Sequence, residues 1–440
     1  MAIGAGAVSV RQYRRGGGIA HPLVFLVAFY GLSHCATPLA LVSGRTERFT
    51  ITSQAAESPF WVPVLWAECV AFACLIAGIW LGMRAAKRGR PRPTPRRGVS
   101  PGFALLWLVA GLTFAVVWLG MDYSRVVGLA KGYFQWERDP LRQALSNGTN
   151  IFTLAGIWLT AMCFPHYDRP LRLFIVLATL AVLTMHMVLL QRGHGLAVVL
   201  VWWLAASMRG PRPLPPKGDL AFAVAIGAFF LLSNLAFRRQ VVSPSATLSA
   251  VTESSAGDWL AAAGAVTHLG YGQAHFVAAL ELMPDVRLYG QSYLAALVNL
   301  VPALLLGGYA MPPFVFEFSR AMVGGHPHLG ANMSLEAEAF LNFGHAGPPL
   351  VFLCYAFALG YSYRRGRDGD PLCRAWYVLL AVTLLACSGA SVQSLAKLWV
   401  YSYVLLLAGG SLRRAAPYGQ GHASRPEGKP DDSPASGSAP

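Results

Sequence analysis

Long apolar runs, separated by shorter basic or mixed-charge stretches, organise the chain from end to end. Eleven runs stand out, near 22–43, 61–83, 101–121, 150–165, 171–190, 194–208, 219–237, 291–311, 337–361, 374–388 and 390–411. Most approach the roughly 20 residues an α-helix needs to cross about 30 Å of hydrocarbon. The runs at 150–165, 194–208 and 374–388 are short and borrow residues from their flanks. The pattern predicts an all-α polytopic membrane protein.

Composition supports that reading. The chain is 55% hydrophobic and only 12% charged, where a soluble domain carries about 25% charged residues. Mean hydropathy is +0.47. The polar stretches are too short to build a core of their own. Residues 1–414 are therefore expected to form a single transmembrane domain. The Pro-, Gly-, Ser- and Ala-rich residues 415–440 are expected to form a disordered cytoplasmic tail.

Charge then orients the chain. The net charge of +15 resides largely in loops between apolar runs, which points to membrane orientation rather than nucleic-acid binding. Residues 84–97 hold seven Lys/Arg and no acid, and 209–218 and 364–374 are also basic. These loops and the basic N-terminus are expected in the cytoplasm. The longer loops 122–149 and 238–290 are mixed in charge and expected outside. Only two clear runs then separate an external 238–290 from a cytoplasmic 364–374, and two crossings give the wrong side. One extra crossing near 259–283 mends the parity; the alternative is that 291–311 re-enters instead of crossing. With the extra crossing the count is about twelve, within a range of roughly 11–13. Both termini are then cytoplasmic, and the external loops are about 122–149, 238–258 and 312–334.

Arg11, Arg14 and Arg15 precede the first run, and no small-residue cleavage site follows, so that run is expected to stay as a helix. The seven cysteines are scattered, without C-x-x-C or zinc spacing, and read as small core residues.

The stretch from Arg320 to Gly360 breaks the apolar rule. Arg320, His326, His328, His345, Glu336 and Glu338 crowd one end of an apolar helix. Ionisable groups near lipid persist mainly where they face a polar cavity. The charge scheme puts this stretch outside. Asn332 or Ser334 can cap the helix, whose N-terminus would offer free N–H groups to an anion such as a phosphate. Glu336 and Glu338 are two apart, so they cannot share a face. One is expected to face a cavity, the other to cap or solvate the helix end. Glu338 is favoured for the cavity, because Asn342 lies one turn below it.

The segment S-L-E-A-E-A-F-L-N-F-G-H-A-G-P-P-L (334–350) resembles the late motif of the bacterial O-antigen polymerases, also called oligosaccharide repeat-unit polymerases. The segment Y-G-Q-S-Y-L-A-A-L-V-N-L-V-P (289–302) resembles that family's Gly-x-Ser-Tyr-Leu element, and Q-R-G-H-G-L-A-V-V-L (191–200) a third, weaker one. The likeness covers about 285–361; elsewhere it is general. Pro302 lacks the arginine that usually follows it in the family, and the arginine comes later as Arg320. The resemblance implies a fold like the C-type membrane glycosyltransferases, in a bacterial inner membrane. It implies transfer of oligosaccharide repeat units carried on undecaprenyl pyrophosphate, which supplies both donor and acceptor. A chain-length regulator and a flippase would be partners besides membrane lipid, and no cofactor or metal would be needed.

Such a transfer needs cations on the pyrophosphate leaving group and a base for the acceptor hydroxyl. Arg192, Arg238, Arg239 and Arg320 suit the first task through the planar guanidinium fork. Glu336, Glu338, His326 and His328 suit the second. Ser292, Tyr293 and Asn342 are expected to line the substrate. Each has a plainer reading. Arg192, Arg238 and Arg239 can be interface anchors, and the H-P-H histidines can be solvated loop residues or, less readily, half of a metal site. Tyr133, Phe134 and Trp136 in loop 122–149 suit sugar stacking or an interfacial helix.

Rival readings differ in specific features. An O-antigen ligase resembles the polymerases in architecture, and the late Asn-Phe-Gly element favours the polymerase. A polyprenyl-phosphate-sugar transferase carries an acidic pair in its first external loop, where this chain has Glu47 and Glu57 ten apart. A flippase or other transporter predicts internal repeats with polar midplane groups in both halves, and no such repeat is evident.

Overall fold

The computed structural model describes residues 20–26, 58–88, 100–121, 140–188, 192–208, 271–301, 333–386 and 392–411, with isolated positions at 221, 224, 225, 228, 305, 314, 317, 318 and 321. Among them there is no strand, and helix dominates. Eleven helices are defined: α1 (Trp61–Arg88), α2 (Pro101–Met121), α3 (Pro140–Cys163), α4 (Arg169–Val188), α5 (Arg192–Ser207), α6 (Tyr271–Leu282), α7 (Gln291–Val298), α8 (Leu335–Phe343), α9 (Gly347–Arg367), α10 (Pro371–Ala386) and α11 (Val392–Ser411). Four helical stretches are long and apolar enough to cross a membrane: Trp61–Lys87, Pro101–Gly120, Arg169–His186 and Leu335–Arg367. Large apolar side chains on their outer faces stay exposed, among them Trp66, Trp80, Leu106, Val116 and Leu173. The protein is an all-α membrane protein.

Close backbone contact holds the longest pair together. A Cβ built on Gly82 would lie 2.1 Å from the Phe357 carbonyl oxygen, and one on Gly360 2.2 Å from that of Ile79. Only hydrogen fits at such a crossing, which is how helices associate where lipid removes the hydrophobic drive between them. Gly78 meets Leu353 and Ala356 while Gly82 meets Phe357 and Tyr361, so α1 and α9 run parallel. Their basic ends, at Arg84–Arg88 and Arg364–Arg367, therefore lie on the same side, as the charge pattern requires. α2 and α3 form an antiparallel pair: Gly156 meets Leu108, and Gly111 meets Thr153.

The main core joins the segment at 20–26 with α1–α5 and α9–α11. Indole and phenol groups cross-link it. Trp158 Nε1 donates to the Ala375 carbonyl at 3.0 Å, Tyr355 Oη to the Leu380 carbonyl at 2.6 Å, and Trp399 Nε1 to Thr383 Oγ1 at 3.0 Å. A second, smaller core gathers Trp61 and Val64 of α1, Phe276 and Val277 of α6, Phe318, and Phe340 and Leu341 of α8. It sits where α1 begins.

Several boundaries differ from the apolar pattern. α3 begins at Pro140, inside the expected loop 122–149. Proline suits the first helical position, and the helix carries on through Thr149 and Thr153; Thr153 Oγ1 donates to the Thr149 carbonyl at 2.6 Å. The helix expected over 291–311 stops at Val298, with Asn299 as its cap and Pro302 soon after, since proline disfavours helix in the residue before it. The described part of the run at 259–283 is α6, twelve residues or about 18 Å long. The expected basic loop 364–374 shrinks to Asp368–Gly369–Asp370, because Asp370 Oδ1 accepts from the N–H groups of Leu372 and Cys373 at 3.0 and 3.1 Å and starts α10 early.

Most of the runs at 22–43 and 219–237 lie outside the described residues, as do loop 238–258, most of 312–334 and the tail 415–440.

Candidate functional site

The single helix expected over 337–361 is two helices. α8 ends at Gly344, whose φ of +62° suits glycine. A 3₁₀ turn over Gly344–Ala346 follows, and α9 starts at Gly347. A Cβ built on Gly347 would lie 1.9 Å from the Ala339 carbonyl oxygen. The chain therefore doubles back on α8 and does not continue along its axis.

Ser334 is the N-cap of α8; its Oγ accepts from the Ala337 N–H at 3.2 Å. Met333, Ser334 and Leu335 are all buried. The free, anion-ready helix end expected from the sequence is thus a capped, packed one. Glu336 and Glu338 are also both buried, at 3% and 1% exposure, so neither is the solvated glutamate expected. The reason is crowding on several sides: α6, α7 and α9 all pack on this nine-residue helix.

Around Glu338 the structure builds a buried polar cluster from three separate elements. Glu338 Oε1 accepts from Ser292 Oγ of α7 at 2.6 Å. Glu338 Oε2 accepts from the N–H of Val392, the first residue of α11, at 2.6 Å. Asn342 Nδ2 donates to Ser292 Oγ and to the Glu338 carbonyl, both at 2.8 Å. Asn342 Oδ1 accepts from the Gly290 N–H at 2.9 Å, while Leu288 N–H donates to the Leu341 carbonyl at 2.8 Å. The carboxyl group therefore sits at the N-terminus of α11 and accepts from two donors. Tyr293 stands beside it, its ring 5.6 Å from that of Phe343. The Tyr293 hydroxyl oxygen is buried and has no hydrogen-bond partner among the described residues. Buried polar atoms are normally paired, so this phenol is an open donor and acceptor next to a carboxylate.

The structure thus brings together Glu338, Asn342, Ser292 and Tyr293. Glu336 shares their helix and is buried. Arg192 opens α5, which packs chiefly on α3, α4 and α10, and its side chain lies outside the described residues. Two residues on, His194 stacks on His186 at 5.3 Å. Arg238, Arg239, Arg320, His326 and His328 lie outside the described residues, as do Tyr133, Phe134 and Trp136. His345 is exposed on the turn after α8, its ring edge-on to Phe340 at 5.2 Å. Among the described residues no group of three His, Cys, Asp or Glu is placed to hold a metal.

Two features escaped the sequence reading. One is the N–H of Val392, a backbone group that no motif marks. The other is Arg287, in the turn ahead of α7, whose guanidinium lies 5.0 Å over the Phe340 ring. Its place two residues before the Tyr-Gly-Gln-Ser-Tyr element was the only signal available.

Compared with family models, curated proteins and solved structures, the chain has no match.

Proposed function

We propose that the chain is a bacterial inner-membrane glycosyltransferase that joins oligosaccharide repeat units carried on undecaprenyl pyrophosphate into a surface polysaccharide. One observation carries the proposal. The two segments that resemble the repeat-unit polymerases, 289–302 and 334–350, are far apart in sequence, yet Ser292, Glu338 and Asn342 join them in one buried hydrogen-bonded cluster. A cluster of polar groups in an apolar protein has a cost, and a reaction that needs a carboxylate, a hydroxyl and an amide in a water-poor place is a reason to bear it.

In this reading an acceptor sugar hydroxyl attacks the anomeric carbon of the donor. Its oxygen forms the new glycosidic bond, the bond from that carbon to the pyrophosphate oxygen breaks, and undecaprenyl pyrophosphate leaves. The proton from the acceptor hydroxyl passes to a base, the role this reading assigns to Glu338. Asn342 fixes Ser292, and Ser292 fixes the carboxylate. The open Tyr293 hydroxyl is available to a sugar oxygen or to the departing phosphate.

Deleting the gene in its own host tests this directly. The expected result is a surface lipid carrying a single repeat unit, with the long-chain ladder restored by the wild-type gene and not by Glu338→Gln. Accumulation of long lipid-linked polymer would instead assign a ligase. An unchanged polysaccharide would refute the proposal.

A further inference from the structure

The geometry points to Arg287 as the binding residue for a phosphoryl oxyanion at the C-terminal end of α8, in the segment that leads to Ser292. Nη1 of Arg287 donates to the carbonyls of Pro284 at 2.9 Å and Val286 at 2.7 Å. The guanidinium also lies over the Phe340 ring, an attraction between cation and ring face that fixes its plane. One nitrogen is therefore spent on holding the group in place. Nε and Nη2 have no hydrogen-bond partner, and no carboxylate pairs with Arg287, among the described residues. Those two N–H groups are one edge of the guanidinium fork, which takes two oxygens of a phosphate or carboxylate side by side.

Gly344 lies next to Nε; a Cβ built there would come within 3.7 Å of it. Arg287 is only partly buried, so a ligand can reach it. Its segment is pinned to α8 by the Leu288 N–H on the Leu341 carbonyl and the Gly290 N–H on Asn342 Oδ1. Asn342 in turn holds the Ser292–Glu338 pair. The segment that carries the open fork is thus tied to the helix that carries the carboxylate. The oxyanion chemistry stands on geometry alone; the identity of the anion as undecaprenyl pyrophosphate rests on the proposed function.

The test uses the full chain in maltoside micelles, titrated separately with undecaprenyl pyrophosphate and with phosphatidylglycerol, bound lipid being counted by native mass spectrometry. Wild type is expected to take undecaprenyl pyrophosphate in preference. Arg287→Gln should weaken that binding about tenfold or more, the loss expected for charged hydrogen bonds. Arg287→Lys, which keeps the charge but not the fork, should fall between; it decides the matter if the glutamine variant does not fold. If both lipids bind alike and both are lost in Arg287→Gln, the oxyanion site stands and the donor assigned under the proposed function falls. Binding of both lipids by both variants at wild-type strength, or no binding by wild type, overturns the proposal.

Discussion

Removing the Glu338 carboxylate should loosen three helices at once. Glu338→Ala takes the acceptor from two bonds of 2.6 Å, one from Ser292 Oγ and one from the Val392 N–H. Hydrogen bonds to charged groups contribute about 1.5–3 kcal/mol each. Losing the partner of a helix-initial N–H costs about 0.5–2 kcal/mol. The Val392 N–H belongs to α11, and Ser292 Oγ still accepts from Asn342 while its own O–H loses its acceptor. The expected destabilisation is about 3–5 kcal/mol. Glu338→Gln should cost less, about 1–2 kcal/mol. The new amide oxygen can still serve Val392, but its NH₂ would meet a Ser292 oxygen that already accepts from Asn342. The assay is unfolding of the purified chain in detergent, followed by tryptophan fluorescence, in a double-mutant cycle with Ser292→Ala. A coupling of about 1–2 kcal/mol between the two positions is expected. Additive effects, or an alanine variant as stable as wild type, would refute the claim that this carboxylate ties α7 to α11.

Three further outcomes follow from contacts already described. Gly82→Val should abolish the close α1–α9 crossing, since even a Cβ would lie 2.1 Å from the Phe357 carbonyl; overpacking of this kind costs about 1–3 kcal/mol or more, read as loss of a monodisperse peak after detergent extraction. Ser334→Ala should destabilise by about 1 kcal/mol through loss of the α8 cap, while Ser334→Asp should restore most of it, both read as thermal unfolding. Tyr293→Phe removes a hydroxyl that has no partner among the described residues, so stability should be unchanged or slightly higher; if that hydroxyl serves the proposed transfer, polymer length on cells should fall all the same.

Some of the candidate site was legible from spacing alone. Glu338 and Asn342 stand at i and i+4 on a capped helix, so their meeting is local, and Ser334 as cap follows from its place ahead of the apolar run. The burial of both Glu336 and Glu338 was not legible. A helix of nine residues with neighbours on several sides has no solvated face, and periodicity records only how strongly one face differs from another. The early stop of α7 at Val298 had a local sign in Pro302, but the apolar run across it masked the break.

That this is a helical membrane protein follows from the apolar pattern of the chain alone. Runs of apolar residues must satisfy their backbone groups internally in lipid, and that demand acts residue by residue along the chain. The sequence also marked, through basic loops, which helix ends share a side, and the parallel packing of α1 on α9 agrees. The tertiary structure alone decided that Glu338 reaches the N-terminus of α11, that Ser292 completes its cluster, and that Arg287 lies across Phe340 with an open edge. Each of these depends on how close one backbone comes to another, at Gly82 with Phe357 or Gly347 with Ala339. Such approaches arise from many side chains fitting at once, and no local pattern of apolar and polar positions specifies them.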